Sequence, residues 1–566
     1  MYLRATQRRN RDGSVVRYLQ VAHNRRVEGV TRAEVLMNLG REDRLDGDGL
    51  RRLVRSINRY LGEPDAAGGG EASEAAGDRL SVVESRPAGT AWLLDGLWRQ
   101  LGVDKALAKV LGGRRFSTDV ERVLFALVAN RAIDPMSKLA TAEWATCDVA
   151  LPGLVSMDED QAYRAMDLLV EADAQAEVQE AVFFAVADLL NLEVDLLFFD
   201  TTSTYFERDS DEGDGGFRRY GHSKDHRPDL PQIIIGLAVT REGIPVRVWC
   251  WPGNTNDQTV LPEVKDGLRG WRLGRVVTVV DRGFSSDANL AYLRRAGGHW
   301  IAGERMRDGS PNAQEALSRQ GRYQQVRDNL RVKEVRLDST PDQRWIVCHN
   351  PAEAERDKAT RDAAVARLET ELDAIKTARA RDTARAKKAK RKPSDEAHRK
   401  AECALRDHPT LGRYLRQTPT GRLQIDRAAI RAEARLDGKY LLSTSDPDLT
   451  PEDIALGYKN LLEAERGFRD LKSTLELRPV FHRLEPRIRA HVLLCWLALL
   501  LVRVAERRTG TTWRRIATEL GRIHAVTLQG SAGTVVQTTP PSSTAASFLT
   551  ACQIDPPPRI THLDPA

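Results

Sequence analysis

Two apolar runs of strand character each end in an aspartate, and together they restrict the possible folds more than any other feature of the chain. Leu196-Leu197-Phe198-Phe199 leads into Asp200, and Val276-Val277-Thr278-Val279-Val280 leads into Asp281. Runs of this length without a helical period read as buried strands. In open α/β sheets ligands bind at the carboxyl ends of the strands, so two neighbouring strands that finish in Asp can share a divalent cation. Taken singly, a strand-end aspartate is ordinarily a turn or capping residue. The pair makes Asp200 and Asp281 the first candidates for chemistry and predicts an α/β fold.

More strands follow from the same pattern. Gln232 to Val239 and Pro245 to Trp251 are separated by Thr240-Arg241-Glu242-Gly243, a turn that predicts an antiparallel pair. Trp249 and Trp251 recur at period two on the second of these and read as packing residues, as do Trp300 and Trp345, for which stacking on a flipped base is the alternative. From Ala91 to Leu190 the apolar residues recur at helical spacing.

Length and charge bound the rest. A chain of 566 residues is too long for one ordinary core. Lys and Arg outnumber Asp and Glu by 86 to 80, so net charge alone is weak evidence for a nucleic-acid partner. The six cysteines form no CxxC pair, which argues against a zinc site and a disulfide framework and favours a reducing cytosol. Met1-Tyr2-Leu3-Arg4 lacks the apolar core of a signal peptide. The apolar stretch from Val492 to Val502 falls short of the roughly 20 residues that cross a bilayer. A core helix, a cytoplasmic location and no membrane partner are expected.

The expected organisation is a small basic β-containing module over 1–62, a Gly- and Ala-rich linker over 63–78, and a helical region over 79–190. A strand-rich segment spans 191–306, a segment of irregular β signal and helical propensity 307–436, and a segment with a further strand and helices 437–530. A Ser-, Thr- and Pro-rich tail over 531–566 is expected to be poorly ordered. Residues 351–402 have helical propensity and few large apolar residues, which predicts a long exposed helical hairpin. Its basic run, Lys376 to Lys392, reads equally well as a solvated face or a DNA contact.

A third carboxylate lies in Tyr458-Lys459-Asn460-Leu461-Leu462-Glu463-Ala464-Glu465-Arg466-Gly467-Phe468-Arg469-Asp470-Leu471-Lys472. Tyr458, Glu465 and Lys472 are spaced by seven residues, close to two helical turns, and form one stripe on a continuous helix. Glu463 is rotated by about 200° from Glu465 at that periodicity. Glu465 is therefore the third metal-ligand candidate. The alternative is a solvated amphipathic helix whose core side is Leu461, Leu462 and Phe468.

With Asp200 in Phe199-Asp200-Thr201-Thr202-Ser203, Asp281 in Val280-Asp281-Arg282-Gly283-Phe284 and this stripe, the chain resembles bacterial insertion-sequence transposases of the DDE class, in particular the four-type group with its YREK signature. The resemblance covers about 195 to 500, with three motifs in the expected order. It departs in one place: the residue three after the tyrosine is Leu461, not arginine. The phosphate contact of that arginine is not carried over, Arg466 and Arg469 lie off the stripe, and a terminal-hairpin intermediate is left open.

The resemblance implies an RNase H-like mixed-sheet catalytic core, its first part at 191–306 and its second at 437–530, with a large insertion at 307–436 and helical N-terminal and C-terminal regions, the helical region over 79–190 binding DNA. It implies two Mg²⁺ ions, with Mn²⁺ able to substitute, bridged by Asp200 and completed by Asp281 and Glu465. Such a site frees a transposon 3′-OH with water and then directs that hydroxyl at target DNA. The implied partner is double-stranded DNA, both transposon ends and target, bound by a homodimer or higher complex. DNA contacts are expected from Tyr458, Lys472 and Arg469, and from Lys224, Arg227 and His222 in Tyr220-Gly221-His222-Ser223-Lys224-Asp225-His226-Arg227-Pro228-Asp229, which resembles a family segment near DNA. His222 and His226 have helical ligand spacing, but Pro228 and the lack of helical pattern speak against zinc. The competing readings are a metal-dependent nuclease without strand transfer and an inactive DNA-binding regulator.

Overall fold

The computed structural model describes residues 2–9, 15–27, 30–41, 80–111, 119–173, 176–192, 194–271, 273, 276–307 and 309–565. The chain divides into two units, Met1–Asp78 and Arg79–Ala566. In the first, β1 (Tyr2–Arg9), β2 (Val15–Val27) and β3 (Val30–Arg41) form an antiparallel meander. The expected linker over 63–78 lies outside the described residues.

The second unit opens with β4 (Ser81–Pro87) and continues through helices that include Gly89–Gln100, Val120–Ile133, Glu159–Ala172 and Glu177–Leu190. Local sequence starts them well. Asp158 and Gln161 form a reciprocal capping box, and Asp119 accepts the Arg122 amide. The first three pack around Glu485–Thr509, whose side chains are buried almost without interruption from Ile488 to Ala505. That helix is apolar and long enough by composition to cross a membrane, and here it is the hub of a protein core.

The central strands are β5 (Leu196–Tyr205), β6 (Gln232–Thr240), β7 (Pro245–Pro252), β8 (Val277–Val280) and β9 (His299–Glu304). Next come β10 (Gln324–Arg327), β11 (Leu330–Arg336) and β12 (Arg344–His349). A small pair, β13 (Leu415–Gln417) and β14 (Leu423–Ile425), precedes β15 (Lys439–Thr444). Nine of these strands form one sheet in the order β10-β11-β12-β15-β9-β8-β5-β6-β7. In it β5, β8 and β9 run parallel and the other pairings are antiparallel.

Alternation along the strands sorts side chains between two cores. Leu196, Phe198, Val277 and Val279 join the large core that contains the Glu485–Thr509 helix. Leu197, Phe199 and Val280 join the opposite core with Trp249, Trp251, Phe284 and Trp300. Both faces of the sheet are covered, which explains why β6 is buried along all nine residues.

Three expectations change. The insertion over 307–436 is not wholly separate from the core, because β10, β11 and β12 extend the main sheet beside β15. What leaves the sheet is the excursion between β12 and β15, which carries the helices Pro351–Lys388 and Glu396–Arg406. The helical region over 79–190 begins with a strand, β4, that pairs with β16 (His524–Gly530). The tail over 531–566 is structured: β17 (Gly533–Thr538) pairs with β16 and with β18 (Ile560–Pro565), and between them a helix, Ser543–Ala551, buries Phe548 and Leu549. Long-range strand pairing and burial of a few apolar residues outweigh the tail's composition.

Candidate active site

Strand register sets the two aspartates side by side. β5 and β8 are parallel with Phe199 opposite Val280, so the next residues on the two chains are Asp200 and Asp281. Their parity places both on the face of Leu196, Phe198, Val277 and Val279, which is also the face covered by Ile454, Ala464, Phe468 and Leu471. The two acids and the segment carrying Glu465 thus meet on one side of the sheet.

That segment is two helices, not one. Pro451–Lys459 ends with the amides of Asn460 and Leu461 bonded to the carbonyls of Gly457 (2.9 Å) and Tyr458 (3.0 Å). Leu462–Ser473 then starts with further three-residue bonds, Glu463 to Asn460 (2.9 Å) and Ala464 to Leu461 (3.0 Å). This tightened turn breaks the single stripe expected from spacing. Both helices come close to the sheet through glycine. A Cβ on Gly467 would stand 2.8 Å from Leu237 of β6, and one on Gly457 2.8 Å from Leu196 of β5. Gly303 of β9 leaves the room that the Tyr458 hydroxyl occupies.

The Tyr458 hydroxyl donates to Asp281 Oδ1 at 2.8 Å, and its ring stacks on Tyr440 at 6.1 Å. Burial raises the phenol's pKa, and the negative charges of Asp281 and Glu465 raise it further. Tyr458 is therefore bonded to the second aspartate and lies within the field of the glutamate. Glu465 itself is exposed, whereas Leu461 is buried in the core, so the position of the missing arginine faces inward. Glu463 lies against Gly243 of the β6–β7 turn and 3.8 Å from Arg466.

Burial pushes the Asp200 carboxyl up to about 6; Lys224 and the Thr201 amide pull it down, while Asp281 and Asp257 push it further up. The Thr201 amide donates to Asp200 Oδ1 at 2.7 Å. Lys224 Nζ stands 4.0 Å from the same oxygen and 2.9 Å from Asp257, and it donates to the Thr201 carbonyl (2.8 Å) and hydroxyl (2.6 Å). Thr201 Oγ1 in turn donates to Asp257 at 2.7 Å. Lys224 was expected to face DNA; it is directed into the aspartates.

Lys472 donates to Asp225 Oδ1 at 2.8 Å, and Arg478 pairs with the other oxygen at 3.0 Å. Burial lowers the Lys472 pKa, an effect that Asp225 opposes. Arg227 pairs with Asp229 at 2.9 Å and lies 5.2 Å over the Tyr205 ring. His222 and Arg469 are exposed. Asp257, Asp225 and Arg478 escaped sequence reading. Asp257 follows the capping Asn256 and looks like an ordinary first-turn acid, and Asp225 was hidden inside a segment read for its basic residues.

Among the described residues, no group of three His, Cys, Asp or Glu side chains stands close enough to hold a metal ion. The donor chemistry nonetheless fits a hard divalent cation. Two carboxylates sit side by side at the strand ends, and one of them has its proton affinity raised by burial and by neighbouring acids.

Residues 195–501, over half of the chain, match the transposase DDE domain, and residues 3–69 match the N-terminal domain of IS1634 family transposases. The chain belongs to the DDE transposase family. It is an insertion-sequence transposase with a mixed α/β sheet. Among solved structures it matches a piggyBac transposase synaptic complex with hairpin DNA, at 11% identity over 85% of each chain and a TM-score of 0.33. No curated protein matches it.

Proposed function

We propose that this transposase binds the terminal inverted repeats of its element, cleaves the ends with divalent metal ions held by Asp200, Asp281 and Glu465, and transfers the freed 3′-OH ends to target DNA. The observation that carries this reading is the β5–β8 register, which sets Asp200 beside Asp281 on the face covered by the glutamate helix. The sheet order β9-β8-β5-β6-β7, with its parallel and antiparallel pairings, supports an RNase H-like core.

Asp200 and Asp281 offer oxygens from fixed strand ends, and Glu465 offers a third from the helix that Gly467 seats on β6. When bound, two Mg²⁺ ions, or Mn²⁺ in their place, supply activation of the attacking water or hydroxyl and stabilise charge on the leaving oxygen. Tyr458 holds Asp281 by its hydroxyl. Lys472 provides a point charge for a DNA phosphate, flanked by Arg469, Arg227 and His222. Membership of the four-type YREK group rests on Tyr458, Glu465 and Lys472, with Leu461 in place of its arginine.

The helical region over 79–190 and the basic run Lys376 to Lys392 on the hairpin are further DNA surfaces in this reading. The assembly is a homodimer or higher complex on duplex DNA in the bacterial cytoplasm. The test is Asp281→Ala on a duplex carrying the element's own end: Mg²⁺-dependent cleavage is expected to disappear while end binding persists. Unchanged cleavage would reject the metal assignment. Joined product from pre-cleaved ends is expected of the wild type, and its absence would leave a nuclease.

A further inference from the structure

Lys224 and Asp225 are neighbours in sequence and serve opposite halves of the site. The Lys224 ammonium lies 4.0 Å from Asp200 and 2.9 Å from Asp257. The Asp225 carboxylate lies between Lys472 (2.8 Å) and Arg478 (3.0 Å), with its side chain only 12% exposed. Partly buried acids without a cation, and partly buried bases without an anion, are costly. This dipeptide meets both needs.

We infer that Lys224 and Asp225 are internal stand-ins for the site's two charged ligands, the ammonium for a cation and the carboxylate for a DNA phosphate. The inference rests on the metal-site reading above and adds its regulation. A divalent cation entering beside Asp200 meets the Lys224 charge, and a phosphate reaching for Lys472 and Arg478 meets Asp225. Each ligand must displace its stand-in, so metal and DNA bind more weakly than the bare residues allow.

The experiment is a Mn²⁺ titration of the full chain by electron paramagnetic resonance, together with binding of a random-sequence duplex over a range of salt. Removing the ammonium that stands 4.0 Å from Asp200 Oδ1 in Lys224→Met is expected to tighten Mn²⁺ binding by roughly tenfold or more. Lys224→Arg is expected to bind as the wild type does. Asp225→Asn is expected to bind the duplex several-fold more tightly, with a salt slope steeper by about one to two contacts. Unchanged or weaker Mn²⁺ binding in a folded Lys224→Met, or unchanged or weaker DNA binding in Asp225→Asn, overturns the inference. The second arm stands if Lys224→Met does not fold. Asp281→Ala in the same titration separates the two ideas: Mn²⁺ binding that survives it rejects the metal site, whereas Mn²⁺ binding lost there but not tightened in Lys224→Met rejects the stand-in alone.

Discussion

Asp200 and Asp281 are placed by strand register, whereas Glu465 is placed by a helix that changes its hydrogen bonding just before it. The aspartates follow Phe199 and Val280, paired residues of two parallel strands buried on both faces. Moving either acid means breaking a ladder inside two packed cores. Glu465 stands exposed on a helix that follows a tightened turn, and its tie to the aspartates runs through Tyr458. The candidate site is thus rigid on one side and adaptable on the other. The sheet keeps two acids together against their repulsion, and in the proposed mechanism the helix supplies the third.

The largest effect should come from the rigid half. Asp200→Ala is expected to lower end cleavage by about 1000-fold, worth roughly 4 kcal/mol in the barrier, while the melting temperature of the metal-free protein holds or rises because a buried, proton-seeking carboxylate is gone. A matching loss of folded protein would show instead that Asp200 is structural. The adaptable half is probed next by Gly467→Val. With a Cβ already 2.8 Å from Leu237, the helix must lift, at a cost of about 1–3 kcal/mol measured by denaturant unfolding. No change there would mean the helix floats over the sheet.

A pH series sharpens the same contrast. Asp200 is raised from 3.8 to about 6 in the folded chain. Its favourable contribution to metal-free stability is therefore present below the lower value and is lost as pH rises through the upper one. A metal ion must displace that proton, so Mn²⁺ affinity should fall by about tenfold for each unit below pH 6. A flat profile from pH 7 to 5 would place the metal elsewhere. The smallest effect is expected from Tyr458→Phe, which keeps the stack on Tyr440 and loses the bond to Asp281. About 1 kcal/mol, or a several-fold drop in cleavage rate, should result.

The rigid half was legible in the sequence because period-two burial and a run of β-formers leave a mark. β5, β6, β7 and β8 fall close to where the pattern puts them, and the Pro351–Lys388 and Glu396–Arg406 helices occupy the predicted hairpin. The adaptable half was legible only in part. Seven-residue spacing relates Tyr458, Glu465 and Lys472, yet it carries no sign of the turn at Asn460 and Leu461. Neither does local sequence show that Lys224 reaches Asp257, or Asp225 reaches Arg478, since those contacts arise from loop closure over distant residues. The C-terminal strands escaped for the same reason: Thr534 to Gln537 is ordered by its partners in β16 and β18.

Glu465 and Glu463 both sit in the first turn of one helix, and the negative charge of Glu465 helps to raise the pKa of Tyr458. The most direct measurement is Mg²⁺-dependent cleavage of the element's end by Glu465→Gln and Glu463→Gln, assayed side by side with end binding. Loss of cleavage in Glu465→Gln with near-wild-type cleavage in Glu463→Gln is the predicted result; cleavage that survives Glu465→Gln would contradict the three-carboxylate site.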